Sequence, residues 1–261
     1  MKKQRLDIYL TETGLVDSRS KARALIMAGK VRVNGMVVDK AGYPVTAGAV
    51  VEVEEPPPFV SRGGLKLTAA LDGFGIDPAH RVCADVGAST GGFTDVLLQR
   101  GARRVYALDV GYGQLAWKLR QDPRVVVMER TNARYVDTLP EPVELVTIDV
   151  SFISLNLILP VVARWLTERG EVVALVKPQF EAGREQVGKG GVVRDRKVHR
   201  QVLEQVLEYA VAARLQPRGL MPSPITGPAG NHEFLLYLDR SPDDVPAPDP
   251  AALVESCLSR L

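Results

Sequence analysis

Cysteine and histidine are scarce in this 261-residue chain, with two cysteines, Cys83 and Cys257, and three histidines, His80, His199 and His232. Two distant thiols make no disulfide framework and so few imidazoles make no zinc cluster, so no metal and a reducing compartment, the cytoplasm, are expected. Acidic and basic residues nearly cancel, 31 against 33 for a formal charge of +2. No global basic field announces a nucleic-acid binder, and any anion-binding surface must be local. Long hydrophobic runs are missing as well. The most apolar long stretch, residues 143–166, contains Glu144, Asp149, Asn156, Pro160 and Arg164 and makes a poor membrane span. The basic opening, Met1 to Arg5, meets Asp7 instead of the continuous apolar segment of a signal peptide. What is present, 46% apolar and 25% charged residues, suits a soluble globular protein, and the length allows one large domain or one medium domain and a small one.

The most informative stretch is Arg81–Thr94. A short apolar run, Val82-Cys-Ala84, ends in Asp85 and breaks into glycines at Gly87, Gly91 and Gly92 before a helical pattern resumes at Phe93. Strand, glycine turn and helix start together make a ligand cradle, because glycine lets the backbone come close and the helix offers unpaired N–H groups. A dinucleotide turn would read G-x-G-x-x-G. This one reads Asp-x-Gly-x-x-x-Gly-Gly, and an acid at the strand end suits a cationic ammonium or sulfonium group. The pattern resembles the first motif of S-adenosylmethionine-dependent methyltransferases. On that reading Asp85, Gly87, Ser89, Gly91, Gly92 and Phe93 surround the cofactor, and a plain structural turn is the alternative.

From Arg81 onward strands and helices alternate as in a doubly wound, mostly parallel sheet. Strands are predicted at 82–85, 104–109, 125–129, 145–149, 171–177, 215–221 and 233–238, with helices near 94–99, 114–121, 157–167 and 196–213. Ligands in such sheets sit beyond the carboxyl ends of the strands. Asp85, Asp109, Asp149 and Lys177, each at a predicted strand end, are therefore expected to line one crevice, with Asp109 on a ribose and Asn132 a candidate for the adenine edge. A lysine ending the apolar run Val172–Val176 needs compensation, either a structural salt bridge or a role as a base, with Lys66 as a second cation and Glu233 as an orienting acid.

Residues 4–53 read as a separate small unit: a helix carrying Leu6, Ile8, Leu10 and Leu15, a second from Ser18 to Gly29, and strands at 31–33, 36–38 and 49–53 around an Asn34-Gly35 turn. Arg19, Lys21, Arg23, Lys30 and Arg32 crowd the second helix and the next strand with no acid among them, a one-signed cluster suited to phosphates. Arg5-Leu-Asp7, Ser18-Arg19, Ala22, Leu25-Ile26, Gly29, Val31, Val33-Asn34-Gly35 and Lys40 resemble the S4 RNA-binding domain, which implies docking on structured RNA. Glu54-Glu-Pro-Pro-Pro-Phe59 reads as a linker, so the expected division is 1–55, a linker at 56–60, a larger domain at 61–240, and a proline- and aspartate-rich tail at 241–261 that ends in a short helix.

Lys66, Asp149, Lys177 and Glu233 together resemble the Lys-Asp-Lys-Glu tetrad of FtsJ-type RNA ribose 2′-O-methyltransferases. With Ser61–Leu67, Asp85–Asp95, Asp149–Ser154, Val176–Glu181 and Asn231–Phe234 they are similar to the TlyA (hemolysin A) family. That resemblance implies a Rossmann-like class I methyltransferase domain with a seven-stranded mostly parallel sheet behind a small α+β S4 domain. It also implies S-adenosylmethionine as cofactor, cytidine ribose in ribosomal RNA (23S, and 16S as a further candidate) as acceptor, and ribosomal subunits as partners. Arg5, Arg19, Lys21, Arg23, Lys30, Arg32, Arg62, Arg184 and Lys189 would then meet RNA, the last two from a glycine-rich loop at 181–196. The near P-loop Gly183–Gly190 carries Gly190 where a Ser or Thr is required, and Cys83, inside a strand, is badly placed for a nucleophile. A non-catalytic ribosome assembly factor and a cytolysin are the alternatives, the latter without a membrane-active segment in the sequence. Oligomeric state and target nucleotide stay open.

Overall fold

In the computed structural model of the chain, residues 3–54, 57–240 and 246–261 are described, so Glu55 and Pro56 of the expected linker and 241–245 of the expected tail lie outside the described residues. Two compact units divide the chain, Met1–Pro57 and Pro58–Leu261.

The first unit opens with strand β1 (Gln4–Arg5) and helix α1 (Leu6–Glu12), which turns at Gly14. Ser18 then caps helix α2 (Arg19–Met27) by accepting from the Lys21 N–H. Leu6, Leu10, Val16, Ala22 and Ile26 share one core with Val31, Val33, Val38 and Val45. Leu15, read as part of the first helix, lies beyond its end and is exposed, and Leu25 only borders the core. Strands β2 (Val31–Val33) and β3 (Met36–Val37) form a hairpin through Asn34 and Gly35, both with positive φ. A pairing absent from the sequence reading joins β1 to β4 (Pro44–Val45), two residues each, while β5 (Val51–Val53) pairs with β2.

The second unit starts with helix α3 (Gly63–Phe74) and continues through strand β6 (Val82–Val86), helix α4 (Gly92–Gln99), strand β7 (Arg104–Leu108), helix α5 (Trp117–Arg120) and strand β8 (Val125–Met128). After it come β9 (Val143–Ile148), α6 (Leu159–Trp165), β10 (Leu166–Val176), α7 (Pro178–Glu181), α8 (Arg196–Ala212), β11 (Gln216–Pro222), β12 (Phe234–Asp239) and α9 (Pro250–Leu258). The strands make one seven-stranded sheet in the order β11-β12-β10-β9-β6-β7-β8. Only β12 runs against its neighbours, antiparallel to β10 and to β11. β6 is buried along its whole length. Alternate residues feed the two faces, Val82, Ala84 and Val86 packing with Val146 and Ile148, and Cys83 with Leu97 and Val105.

Two predicted helices differ from the structure. The one expected at 114–121 is a single turn, since Ala116 is extended (φ −56°, ψ 139°) and Gly113 is left-handed. The one expected at 157–167 stops at Trp165, because Leu166 already pairs with Val143 as the first residue of β10.

Candidate active site

Chain order reverses at β6, from which β7 and β8 extend to one side and β9 and β10 to the other. Such a switch point leaves a crevice beyond the strand ends. Here the turn after β6 fills it. Gly87 has φ +86°, and a Cβ there would stand 2.5 Å from the Asp149 carbonyl oxygen, so only glycine lets these two loops touch. Gly91, φ +97°, caps α4 with the same freedom, and a Cβ on it would strike the Leu119 side chain.

Two cavities flank this turn. One, of about 400 Å³, is lined by Lys66, Asp149, Lys177 and Glu233 with Arg62, Gly87, Ser89, Gly92, Phe93 and Ser151. The other, about 670 Å³, is lined by Asp109, Gln114, Thr131, Asn132 and Arg134 on one side and residues 149–154 on the other. Gly87, Ser89, Asp149 and Ser151 line both, so they are the shared wall of two adjoining spaces. Both volumes lie in the range of small-molecule sites, roughly 300–1,000 Å³.

The four tetrad residues meet in the first cavity as two ion pairs. Lys177 Nζ donates to Asp149 Oδ1 at 2.6 Å and to Ser151 Oγ at 3.0 Å. Lys66 Nζ donates to Glu233 Oε2 at 2.5 Å. Lys66 and Lys177 are both buried. The pairing differs from the sequence expectation, in which Glu233 orients the two lysines together; each lysine has its own carboxylate. Lys66 comes from the first turn of α3, Asp149 and Lys177 directly follow β9 and β10, and Glu233 directly precedes β12. The antiparallel register, Val176 opposite Phe234, sets residue 233 beside the end of β10.

In the second cavity, Asp109 Oδ2 accepts from the Ser89 N–H at 2.8 Å and Oδ1 from the Gly111 N–H at 2.7 Å. Each oxygen keeps a lone pair for a hydroxyl donor. Asn132 Oδ1 accepts from the Arg134 N–H at 3.1 Å and so caps a short 3₁₀ turn, Ala133–Tyr135. Asn132 thus forms the turn through its oxygen, and its amide NH₂ is left for another acceptor.

Asp85 and Gly91 line neither cavity. Asp85, expected at the cofactor's cationic end, is fully buried in β6, accepting from Thr94 Oγ1 at 2.7 Å and Thr147 Oγ1 at 3.2 Å. Burial, reinforced by the charge of Asp149, pushes its carboxyl up to about 7. Burial likewise raises the Cys83 thiol to about 12, which leaves no thiolate for covalent chemistry.

Arg184 and Lys189 sit outside both cavities, in a 3₁₀ turn and at a Gly188–Val192 bridge. Asn231 ties this loop down, accepting from the Val193 N–H and donating to the Gly191 carbonyl, both at 2.9 Å. In the first unit the basic cluster has an acid after all. Asp7, fully buried, is held by the Nε atoms of Arg5, Arg19 and Arg23 at 3.0, 2.9 and 3.1 Å. Lys21 pairs with Asp17, Lys30 with Glu54, and Arg32 donates to the Gly35 carbonyl. The three arginines remain half exposed, with guanidinium nitrogens to spare. Among the described residues no helix is long and apolar enough to cross a membrane, and no cluster of His, Cys, Asp and Glu is placed to hold a metal.

Ser151, Gln114 and Asp7 escaped the sequence reading as partners. Ser151 stands inside Asp149-Val-Ser-Phe152, the only local signal that it would matter.

Comparison with known proteins agrees with this geometry. The family profile of FtsJ-like methyltransferases matches residues 59–240, and that of the S4 domain matches residues 4–51. A Bacillus subtilis protein provisionally named an rRNA methyltransferase, YqxC, is 54% identical over 241 residues, 91% of this chain and 86% of its own. The 16S/23S rRNA (cytidine-2′-O)-methyltransferase TlyA of Mycobacterium tuberculosis is 46% identical over 246 residues, 93% of this chain and 92% of its own. A solved structure from Streptococcus thermophilus, provisionally named a hemolysin, superposes with a TM-score of 0.75 at 46% identity, covering 100% of this chain and 96% of that one. The chain therefore belongs to the FtsJ-like methyltransferases, and among them to the TlyA (hemolysin A) group, in which an S4 domain precedes the methyltransferase domain.

Proposed function

We propose that this protein transfers a methyl group from S-adenosylmethionine to the ribose 2′-hydroxyl of a cytidine in ribosomal RNA, in the cytoplasm, with ribosomal subunits as substrate. The observation that carries this reading is the pair of lysine–carboxylate bridges lining one cavity that shares a wall with a second, larger one. The residues present fit the cofactor: Asp109 has lone pairs for ribose hydroxyls, Asn132 has a spare amide, and the Gly87–Gly92 turn admits a close-lying chain. Bound there, S-adenosylmethionine supplies an electrophilic methyl group on a sulfonium centre.

A ribose hydroxyl is a weak acid, and its oxygen must be aligned as well as deprotonated. Lys177 Nζ is held by two acceptors, Asp149 and Ser151, and meets the acceptor hydroxyl with its remaining valence, as the base or as the group that fixes the oxygen. Lys66, steadied by Glu233, fixes the acceptor from the other side. Arg62, at the rim of the same cavity, and the arginines around Asp7 supply phosphate contacts.

The test offers labelled S-adenosylmethionine and purified protein to naked rRNA, separate subunits and whole ribosomes, and maps label by resistance of the adjacent phosphodiester to alkaline hydrolysis. Label on a cytidine ribose is expected; no label, or label on a base, sinks the assignment. Lys177→Ala should lower the rate by about 10²-fold or more while cofactor affinity stays within a few-fold. A parallel collapse of cofactor affinity would make Lys177 structural.

A further inference from the structure

Four bridges join the loop after β9 to the segment after β10. Three involve groups at the cavities: Lys177 to Asp149, Lys177 to Ser151, and the Phe180 ring against Phe152 with centroids 4.9 Å apart. The fourth lies behind them. Glu181, the last residue of α7, accepts from Ser154 Oγ through Oε2 at 2.7 Å and from the Leu155 N–H through Oε1 at 2.8 Å. Ser154 Oγ in turn accepts from the Asn156 N–H at 3.1 Å and caps a 3₁₀ turn, Leu155–Leu157.

Glu181 lines neither cavity and forms none of the ion pairs among the described residues. A partly buried carboxylate without a cation is costly, and burial holds this one above its ordinary range. Packing alone does not ask for such a group. What it does is fix the far end of residues 149–155. That loop needs fixing, because Phe152 has φ +63° with 90% of its surface exposed, a backbone state that an aromatic residue keeps only where its surroundings impose it. The near end is set by the Asp149 N–H bonded to the Val86 carbonyl. With both ends set, Ser151 is held where Lys177 meets it.

We infer that Glu181 is a positioning residue for methyl transfer, acting through Ser154 and Leu155 to hold the 149–155 loop, and with it Ser151 and Asp149, against Lys177. This rests on the functional reading above.

The experiment compares wild type with Glu181→Ala and Glu181→Gln in single-turnover methyl transfer to rRNA at saturating cofactor, in cofactor affinity, and in hydrogen exchange at the Leu155 amide. Glutamine keeps one acceptor for Leu155 and an N–H that Ser154 Oγ can accept. E181A should transfer at least tenfold more slowly, with cofactor affinity within threefold and Leu155 exchange at least tenfold faster. E181Q should stay within threefold of wild type in rate. An E181A rate within twofold of wild type, an E181Q rate as low as that of E181A, or unchanged exchange at Leu155 each overturn the inference. Should E181A fail to fold, Ser154→Ala, which removes the Oε2 bond and the Asn156 cap but keeps the bond from the Leu155 N–H to Oε1, is expected to slow transfer threefold or more, and a wild-type rate overturns the inference. If wild type itself transfers nothing, the functional reading falls, and the exchange comparison, which needs no substrate, still decides whether Glu181 holds the loop.

Discussion

Asp85 is a fully buried acid that lines neither cavity of the candidate site. It lies beneath the glycine turn with hydroxyls from Thr94 and Thr147 on its two oxygens. Thr147 Oγ1 also reaches the Ala84 carbonyl at 3.4 Å, so a protonated Asp85 can donate to Thr147, which then donates onward. With the folded carboxyl pushed up to about 7 and the unfolded one near 3.9, the folded state keeps a proton between pH ~4 and ~7 that the unfolded state has lost. The contribution of Asp85 is thus full below pH ~4 and declines as pH rises to ~7, by up to about 1.4 kcal/mol per unit. Asp85→Asn should flatten the fall in thermal midpoint over that window, as read by calorimetry at several pH values. An unaltered slope would place the proton elsewhere. None of this is visible in the sequence, which shows an acid at a strand end and cannot show that its side chain turns inward.

Elements are legible where one-dimensional pattern and three-dimensional environment coincide. The strands at 82–86, 104–108 and 143–148 are largely buried apolar runs and that at 125–128 a half-buried apolar run at the sheet edge, so composition alone marks them. The two-residue pair β1–β4 leaves no such trace, because its partners are about 40 residues apart and too short for alternation. Tertiary pairing is equally hidden in helix α2. Along the sequence its arginines stand uncompensated, yet Asp7 of α1 binds Arg19 and Arg23 from across the helix pair and Arg5 from the strand before it. The Arg5 hydrogen bond, followed by those of Arg19 and Arg23, holds the Asp7 carboxyl well below the usual carboxylate range although burial opposes it. That stabilisation is complete above pH ~4 and disappears as pH falls below it. Asp7→Asn should therefore loosen α1 against α2 at neutral pH by on the order of 1–2 kcal/mol, since the arginines are half exposed, and should remove part of the acid lability of the N-terminal unit. Chemical denaturation followed at pH 3 and pH 7 checks both; equal pH sensitivity in the variant and the wild type contradicts the assignment.

On the scale of the whole molecule, the division is between a unit that gathers three arginines around Asp7 and a crevice-bearing one. The two units are matched by separate family profiles, and each has its own core. Removing residues 1–57 should leave cofactor affinity within twofold and weaken rRNA binding, with a dependence of log K on log salt that is shallower by roughly 0.7–0.9 for each phosphate the first unit no longer neutralises. Titration at several ionic strengths measures this, and an unchanged slope would mean that the first unit engages no phosphates. The reversed strand β12 has a consequence of its own in time. The residues assigned to the cofactor, from Gly87 to Asp149, come from β6, β7, β9 and the loops beside them, whereas Glu233 reaches the crevice only when the last strand slots in between β10 and β11. In order of synthesis, then, every residue assigned to the cofactor is made some 80 residues before Glu233, and the Lys66–Glu233 ion pair is the last part of the crevice that the chain can assemble.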